Sequence, residues 1–123
     1  MVLVDTSVWV DFFHGKESAR PLSDLMRNKE VLGHRWVLGE FMVGQLGPRR
    51  REILTDMRLL PDLPVYSIED LSDFLEKEVL YGQGLSLVDL QLLYASILAD
   101  CPLWTHDRSL SAAARHYGRD FTG

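Results

Sequence analysis

Cysteine is almost missing from this chain of 123 residues: Cys101 stands alone. That rules out a disulfide framework and a thiolate metal site, and a reducing, cytoplasmic setting is expected. No apolar run approaches the roughly 20 residues that a membrane-spanning helix needs. The first residues carry an acid at position 5 and no basic stretch, unlike a secretory leader. A basic surplus is lacking as well. Thirteen Lys and Arg stand against eighteen Asp and Glu, a net charge of −5, which argues against a protein that coats nucleic acid by charge alone. A nuclease is not excluded, because a bound cation reverses the local sign where acids gather. No low-complexity tract, repeat or linker-like stretch breaks the chain, so a single domain over residues 1–123 is expected.

What is present is ordinary for a globular chain: 46% hydrophobic and 25% charged residues. Short apolar runs alternate with helical patterns. Residues 2–4, 31–33, 63–66 and 103–105 read as strands, the third placed at an edge or a strand start by Pro64. A weak last strand is expected at 120–122. Helices are expected at 7–13 with Ser7 as N-cap, and at 18–28, 34–46, 49–60, 68–81, 86–98 and 109–116. Strands of three or four residues separated by helices indicate an α/β layered fold with a mainly parallel sheet. In such sheets ligands sit beyond the carboxyl ends of the strands.

Four acids are placed with reference to those ends. Asp5 follows Val2–Val4, and Asp107 follows the 103–105 run. Each also suits a helix cap or turn. Glu40 lies in WVLGEFMVG and is expected to share the apolar, desolvated face of its helix, because its neighbours at helical spacing are Trp36, Val37, Val43 and Gly44, none of them basic. Asp89, in SLVDLQLL, has Leu85, Ser86, Leu92 and Leu93 as its neighbours. Ser86-x-x-Asp89 also resembles a capping box. Solvent at the edge of the apolar stripe would account for Glu40 alone, and a cap would account for Asp89 or Asp107 alone. Four such acids converging in an α/β crevice repel one another, and no lysine lies in these segments to neutralise them. A hard divalent cation, Mg²⁺ or Mn²⁺, does so through oxygen ligands, with Thr6, Ser7 and Thr105 as supporting hydroxyls. Such a site suits attack of water on a phosphate.

The remaining features are plainer. Arg49-Arg50-Arg51 is the compact basic run and can contact phosphate, although a solvated helix start accounts for it equally. Trp9, Phe12 and Phe13 crowd one helix; core packing is the default, and any exposed part marks a partner or dimer surface. His14, His34, His106 and His116 show no metal spacing. Gly82-Gln83-Gly84 reads as a helix break, lacking the longer glycine spacing of a phosphate loop. Asp11 and Asp100 read as surface or capping acids.

The segments VDTSVWVDFF, VLGEFMVG, GLSLVDLQLL and LWTHDRSL, in this order and across a chain of this length, resemble the PIN-domain ribonucleases, and within them the VapC-type toxins of bacterial toxin–antitoxin pairs. The resemblance implies an α/β/α sandwich around a short, mainly parallel sheet. It implies a metal-dependent endoribonuclease with Asp5, Glu40, Asp89 and Asp107 around one or two Mg²⁺ or Mn²⁺ ions. It further implies an RNA substrate, with tRNA or rRNA as common targets, a homodimer, and a VapB-type antitoxin that blocks the acids. Two other functions are compatible with an α/β chain of this length. A phospho-receiver domain would want a Lys after the late strand, where His106-Asp107-Arg108 stands. A binding module that kept the fold but lost catalysis would not be expected to keep all four acids.

Overall fold

Val2, Leu3 and Val4 are all buried, so no face of that segment can turn to water and it becomes the central strand. The computed structural model describes residues 1–122. Its order is β1 (Val2–Val4), α1 (Thr6–Phe13), α2 (Leu22–Arg27), β2 (Val31–Leu32), α3 (Arg35–Met42), α4 (Arg50–Arg58), α5 (Ile68–Glu78), α6 (Leu87–Ala99), β3 (Leu103–Trp104) and α7 (Arg108–His116), with 3₁₀ turns at Glu17–Ala19 and Gly47–Arg49. The sheet order is β2–β1–β3 and both pairings are parallel. Leu3 lies opposite Leu32 on one side and Leu103 on the other. The α/β class with a short parallel central sheet is therefore what the chain adopts.

Helix α6 explains how that sheet is covered. Leu90, Gln91, Leu92, Leu93, Ala95 and Ser96 are buried, so it is apolar on more than one side, as a helix packed deep in a layered fold must be. Its one buried amide is satisfied: Gln91 Nε2 donates to the Tyr66 carbonyl at 3.1 Å, and Gln91 Oε1 accepts from the Tyr66 N–H at 2.6 Å.

Several expected boundaries shift. The strand expected at 63–66 does not form. Among the described residues only Gly33 and Asp62 bridge there, Pro64 has no N–H to donate, and the Gln91 side chain takes both polar groups of the Tyr66 backbone. The last strand shrinks to one bridge between Leu103 and Asp120. Helix α3 ends at Met42, four residues short of the expected end, and Arg50 donates to the Met42 and Gly44 carbonyls at that end. Helix α1 starts at Thr6, with Asp5 rather than Ser7 at the N-cap position. Helix α7 starts at Arg108. Helix α5 ends at Glu78, three residues short of the expected end, because the left-handed turn falls on Val79, φ +55°, ahead of Gly82 and Gly84.

One contact between α7 and α5 makes a measurable prediction. The Tyr117 hydroxyl donates to Glu78 Oε1 at 2.8 Å. Burial, then that bond to a carboxylate and its negative charge, push the phenol from an ordinary 10 up to about 12. A phenol with a higher pKa folded than unfolded contributes stability that is fully present below pH 10 and is lost as pH rises through 12. Phenolate absorbance should show one tyrosine titrating near 12, and Tyr117→Phe should remove that step. A titration in which all four tyrosines ionise together near 10 would show the bond to be absent in solution.

Candidate functional site

The site begins where β1 stops. The Asp5 N–H donates to the Trp104 carbonyl at 2.9 Å, so Asp5 closes the sheet. Its backbone occupies the N-cap position of α1, yet its side chain makes no capping bond. Instead Oδ2 accepts from Ser7 Oγ and from Thr105 Oγ1, each at 2.7 Å. Asp5 is 5% exposed. A carboxylate used only for capping would bond to a backbone N–H of the first turn and remain at the surface. This one is drawn inward and held by two hydroxyls from opposite ends of the chain.

Those hydroxyls also fix the loop after β3. Each has one proton, and each gives it to Asp5. Their lone pairs then accept backbone N–H groups: Ser7 Oγ from His106 at 3.0 Å, and Thr105 Oγ1 from Asp107 at 3.0 Å. Asp107 is thereby set in fixed relation to Asp5. Its Oδ2 caps α7 by accepting from the Leu110 N–H at 2.8 Å, so the capping role weighed for it from sequence is real. Among the described residues its Oδ1 has no protein donor, and the residue is exposed.

Asp89 stands in the first turn of α6. Its Oδ2 accepts from the Ser86 N–H at 2.9 Å, and Ser86 Oγ accepts from the Asp89 N–H at 3.1 Å, completing the capping box. Its carboxyl is raised above the usual range. Burial is the main cause, the Ser86 N–H opposes it, and the charges of Asp107 and Asp5 push it further up. Repulsion of this kind acts through space, so the Asp107 and Asp5 carboxylates lie within electrostatic reach of Asp89, although more than eighty residues separate Asp5 and Asp89 in sequence.

Glu40 approaches from α3 and differs from expectation. It was expected on the apolar face, but that face is Val37, Leu38 and Phe41. Glu40 lies at the stripe's edge and is exposed. Its Oε1 accepts from Thr6 Oγ1 at 2.7 Å. Thr6 adjoins Asp5, so this bond ties Glu40 to the segment that carries Asp5. All four acids and all three supporting hydroxyls are therefore at one end of the sheet.

Among the described residues no Lys, Arg or His forms an ion pair with any of the four acids. Nor do three metal-ligating side chains close into a ready-made cluster. The donor set nevertheless fits a hard divalent ion. It offers carboxylate oxygens only, one of them buried without a countercharge, and like charges that disfavour Asp89's ionised form. Mg²⁺ keeps several waters and takes one or two carboxylates directly, so preassembled three-ligand geometry is not required. Asp5, Glu40, Asp89 and Asp107 are the residues that would hold such an ion.

Two nearby residues escaped the sequence analysis. His106 Nδ1 contacts Asp11 Oδ2 at 2.6 Å, with the ring edge-on to Trp104. The His106 bond is the main cause holding Asp11 below the usual carboxylate range; burial opposes it and Lys16 assists. Asp11 is therefore a tie between α1 and the loop bearing Asp107, and no sequence spacing could reveal a partner 95 residues away. In the basic run Arg49 pairs with Glu52 and Arg50 with backbone carbonyls, while Arg51 is exposed. Of the aromatic group, Trp9 is buried and Phe13 is 39% exposed.

Comparison with known proteins bears on the family and the fold. Residues 2–116 match the family model of the PIN domain. The chain is 31% identical over 120 residues to Ribonuclease VapC32 of Mycobacterium tuberculosis strain CDC 1551 / Oshkosh, covering 96% of this chain and 94% of that protein. The same values hold for Ribonuclease VapC32 of strain H37Rv. The crystal structure of PAE2754 from Pyrobaculum aerophilum superposes with a TM-score of 0.64 over 91% of this chain and 83% of that one. At 14% identity it speaks for the fold alone.

Proposed function

Because the chain belongs to the VapC-type ribonucleases of the PIN-domain family, we propose that it is the toxin of a toxin–antitoxin pair and cuts RNA with Mg²⁺ or Mn²⁺. The observation that carries this is that Asp5, Asp89 and Asp107 lie within reach of one another's charge beyond the strand ends, with no ion pair to any of them among the described residues. Asp5, Glu40, Asp89 and Asp107 are the catalytic acids in this proposal. Thr6, Ser7 and Thr105 position them.

The chain's own residues divide the work. Asp5 and Asp89 supply the negative charge that holds the ion. Ser7 and Thr105 keep the Asp5 carboxylate from rotating, since both protons go to the same oxygen. The backbone N–H of Asp107, held on Thr105, keeps the fourth wall in register. When bound, the ion polarises the phosphoryl group and eases loss of a proton from the attacking water. The protein acts in a reduced cytoplasm in this proposal, as a homodimer restrained by a VapB-type antitoxin. Helices in the described residues are too short and too polar to cross a membrane.

Purified protein incubated with total bacterial RNA should yield discrete fragments with Mg²⁺ or Mn²⁺ and none with a chelator. Cleavage that persists undiminished in chelator would overturn the metal assignment. No cleavage of tRNA or rRNA under any of these conditions would overturn the nuclease itself.

A further inference from the structure

Most basic side chains of this protein are engaged. Among the described residues, five of the thirteen have neither a carboxylate within 4 Å nor a hydrogen bond: Lys29, Arg51, Arg58, Lys77 and Arg108. Only Arg108 of these adjoins a site acid in sequence. It is the first residue of α7, directly after Asp107, and it is exposed.

Arg108 borders a groove of about 440 Å³ between α7 and the loop after α5. Gln83, Leu85, Ser109 and Tyr117 also line it. The loop presses on α7 here: a Cβ on Gly84 would stand 2.9 Å from Ser109 Oγ, and Gly84 has φ of +82°. Two residues further, the same loop becomes the Ser86 cap that holds Asp89. One wall of the groove thus continues into Asp89 and the other into Asp107. In its lining Arg108 and Ser109 follow Asp107 directly, and Leu85 immediately precedes the Ser86 cap of Asp89.

An RNA strand whose scissile phosphate sits on four acids brings further phosphates into their field. Those phosphates need a cation outside the cluster, and arginine suits phosphate by its paired donors. Gln83 Nε2 is committed to the Val79 carbonyl at 2.8 Å, which leaves its oxygen as a fixed acceptor. Leu85 and the Tyr117 ring supply apolar surface against which an unpaired base can lie. We propose that this groove holds the single-stranded RNA nucleotide next to the cleaved bond, with Arg108 on its phosphate and Gln83 at its base edge. The proposal rests on the nuclease assignment above.

The test uses a labelled random-sequence single-stranded RNA 20-mer, with Ca²⁺ in place of Mg²⁺ so that binding is read without turnover. Each lost phosphate contact on a single strand lowers the slope of log affinity against log salt by about 0.7. Arg108→Ala should weaken binding roughly tenfold and flatten the slope by that amount, while Arg108→Lys restores the slope. Gln83→Ala should leave the slope unchanged and relax the choice of cleavage sites in total RNA with Mg²⁺. If Arg108→Ala binds with wild-type affinity and slope while the wild-type protein cleaves RNA, the groove is not a substrate site and the nuclease stands. An equal loss on duplex RNA would overturn the single-strand assignment. A wild-type protein that cleaves no RNA removes both.

Discussion

Asp5→Asn should reduce metal-dependent RNA cleavage about a thousandfold, a loss near 4 kcal/mol in the barrier, in a protein that remains folded. The asparagine oxygen can still accept both hydroxyl bonds, from Ser7 and from Thr105. The β1 end and the loop carrying Asp107 therefore keep their anchors. What disappears is a unit of negative charge in a position 5% exposed, and with it, under the proposed function, one ligand of the divalent ion. A second effect has the opposite sign. Asp5 is one of the groups that disfavour the charged form of Asp89, so without metal the variant should melt at or slightly above the wild-type temperature. With saturating Mg²⁺ the order should reverse, because binding to the folded state alone adds about 2.7 kcal/mol at a hundred times the dissociation constant. Thermal melts with Mg²⁺ and with chelator, beside cleavage of total RNA, measure both. Wild-type cleavage by the variant would remove Asp5 from the chemistry. A variant destabilised under both conditions would make Asp5 a structural residue.

The sequence and the structure agree most closely where one physical signal dominated. Val2–Val4 had no polar residue to expose, and a buried parallel strand was the consistent outcome. The α6 segment combined an apolar run with a serine and an acid at capping spacing, and both appear in the folded helix. The placement of Asp5 and Asp107 followed from a rule about strand ends, and the structure puts Asp5 directly after β1 and Asp107 three residues after β3.

Failures occurred where a side chain replaced a backbone partner. The 63–66 run has strand composition, but Gln91 satisfies Tyr66 in place of a neighbouring strand. Periodicity cannot announce a bond between residues 25 apart. The end of α3 was misplaced for the same reason, since Arg50 reaches back to two carbonyls at that end. Ser7 looked like a cap, yet its hydroxyl is given to Asp5. Glu40 was expected to be desolvated, and the width of the apolar stripe on α3 decided otherwise. A pattern of residue types fixes which face is apolar more firmly than how far a long side chain reaches from its edge. Asp11 and His106 were set aside because each is ordinary in its own segment, and their pairing exists only in three dimensions.

Asp89 serves both as an acid of the pocket and as a helix cap, and two substitutions separate the roles. Asp89→Asn keeps an oxygen that can accept from the Ser86 N–H, so the start of α6 should survive with a change of a few tenths of a kcal/mol. Cleavage should fall at least about a hundredfold. Ser86→Ala does the reverse. It removes the oxygen that accepts the Asp89 N–H, costing about 1 kcal/mol of stability and a few degrees of melting temperature, while the Asp89 carboxylate and most of the cleavage remain. The two variants should therefore cross: one stable and inactive, the other less stable and active. If Asp89→Asn instead melts early and cleaves normally, the carboxylate belongs to the helix and not to the ion. A Ser86→Ala variant that stays folded but loses cleavage as completely as Asp89→Asn would mean that the cap is what aims the carboxylate, since burial and repulsion alone would then be insufficient to hold it in the pocket.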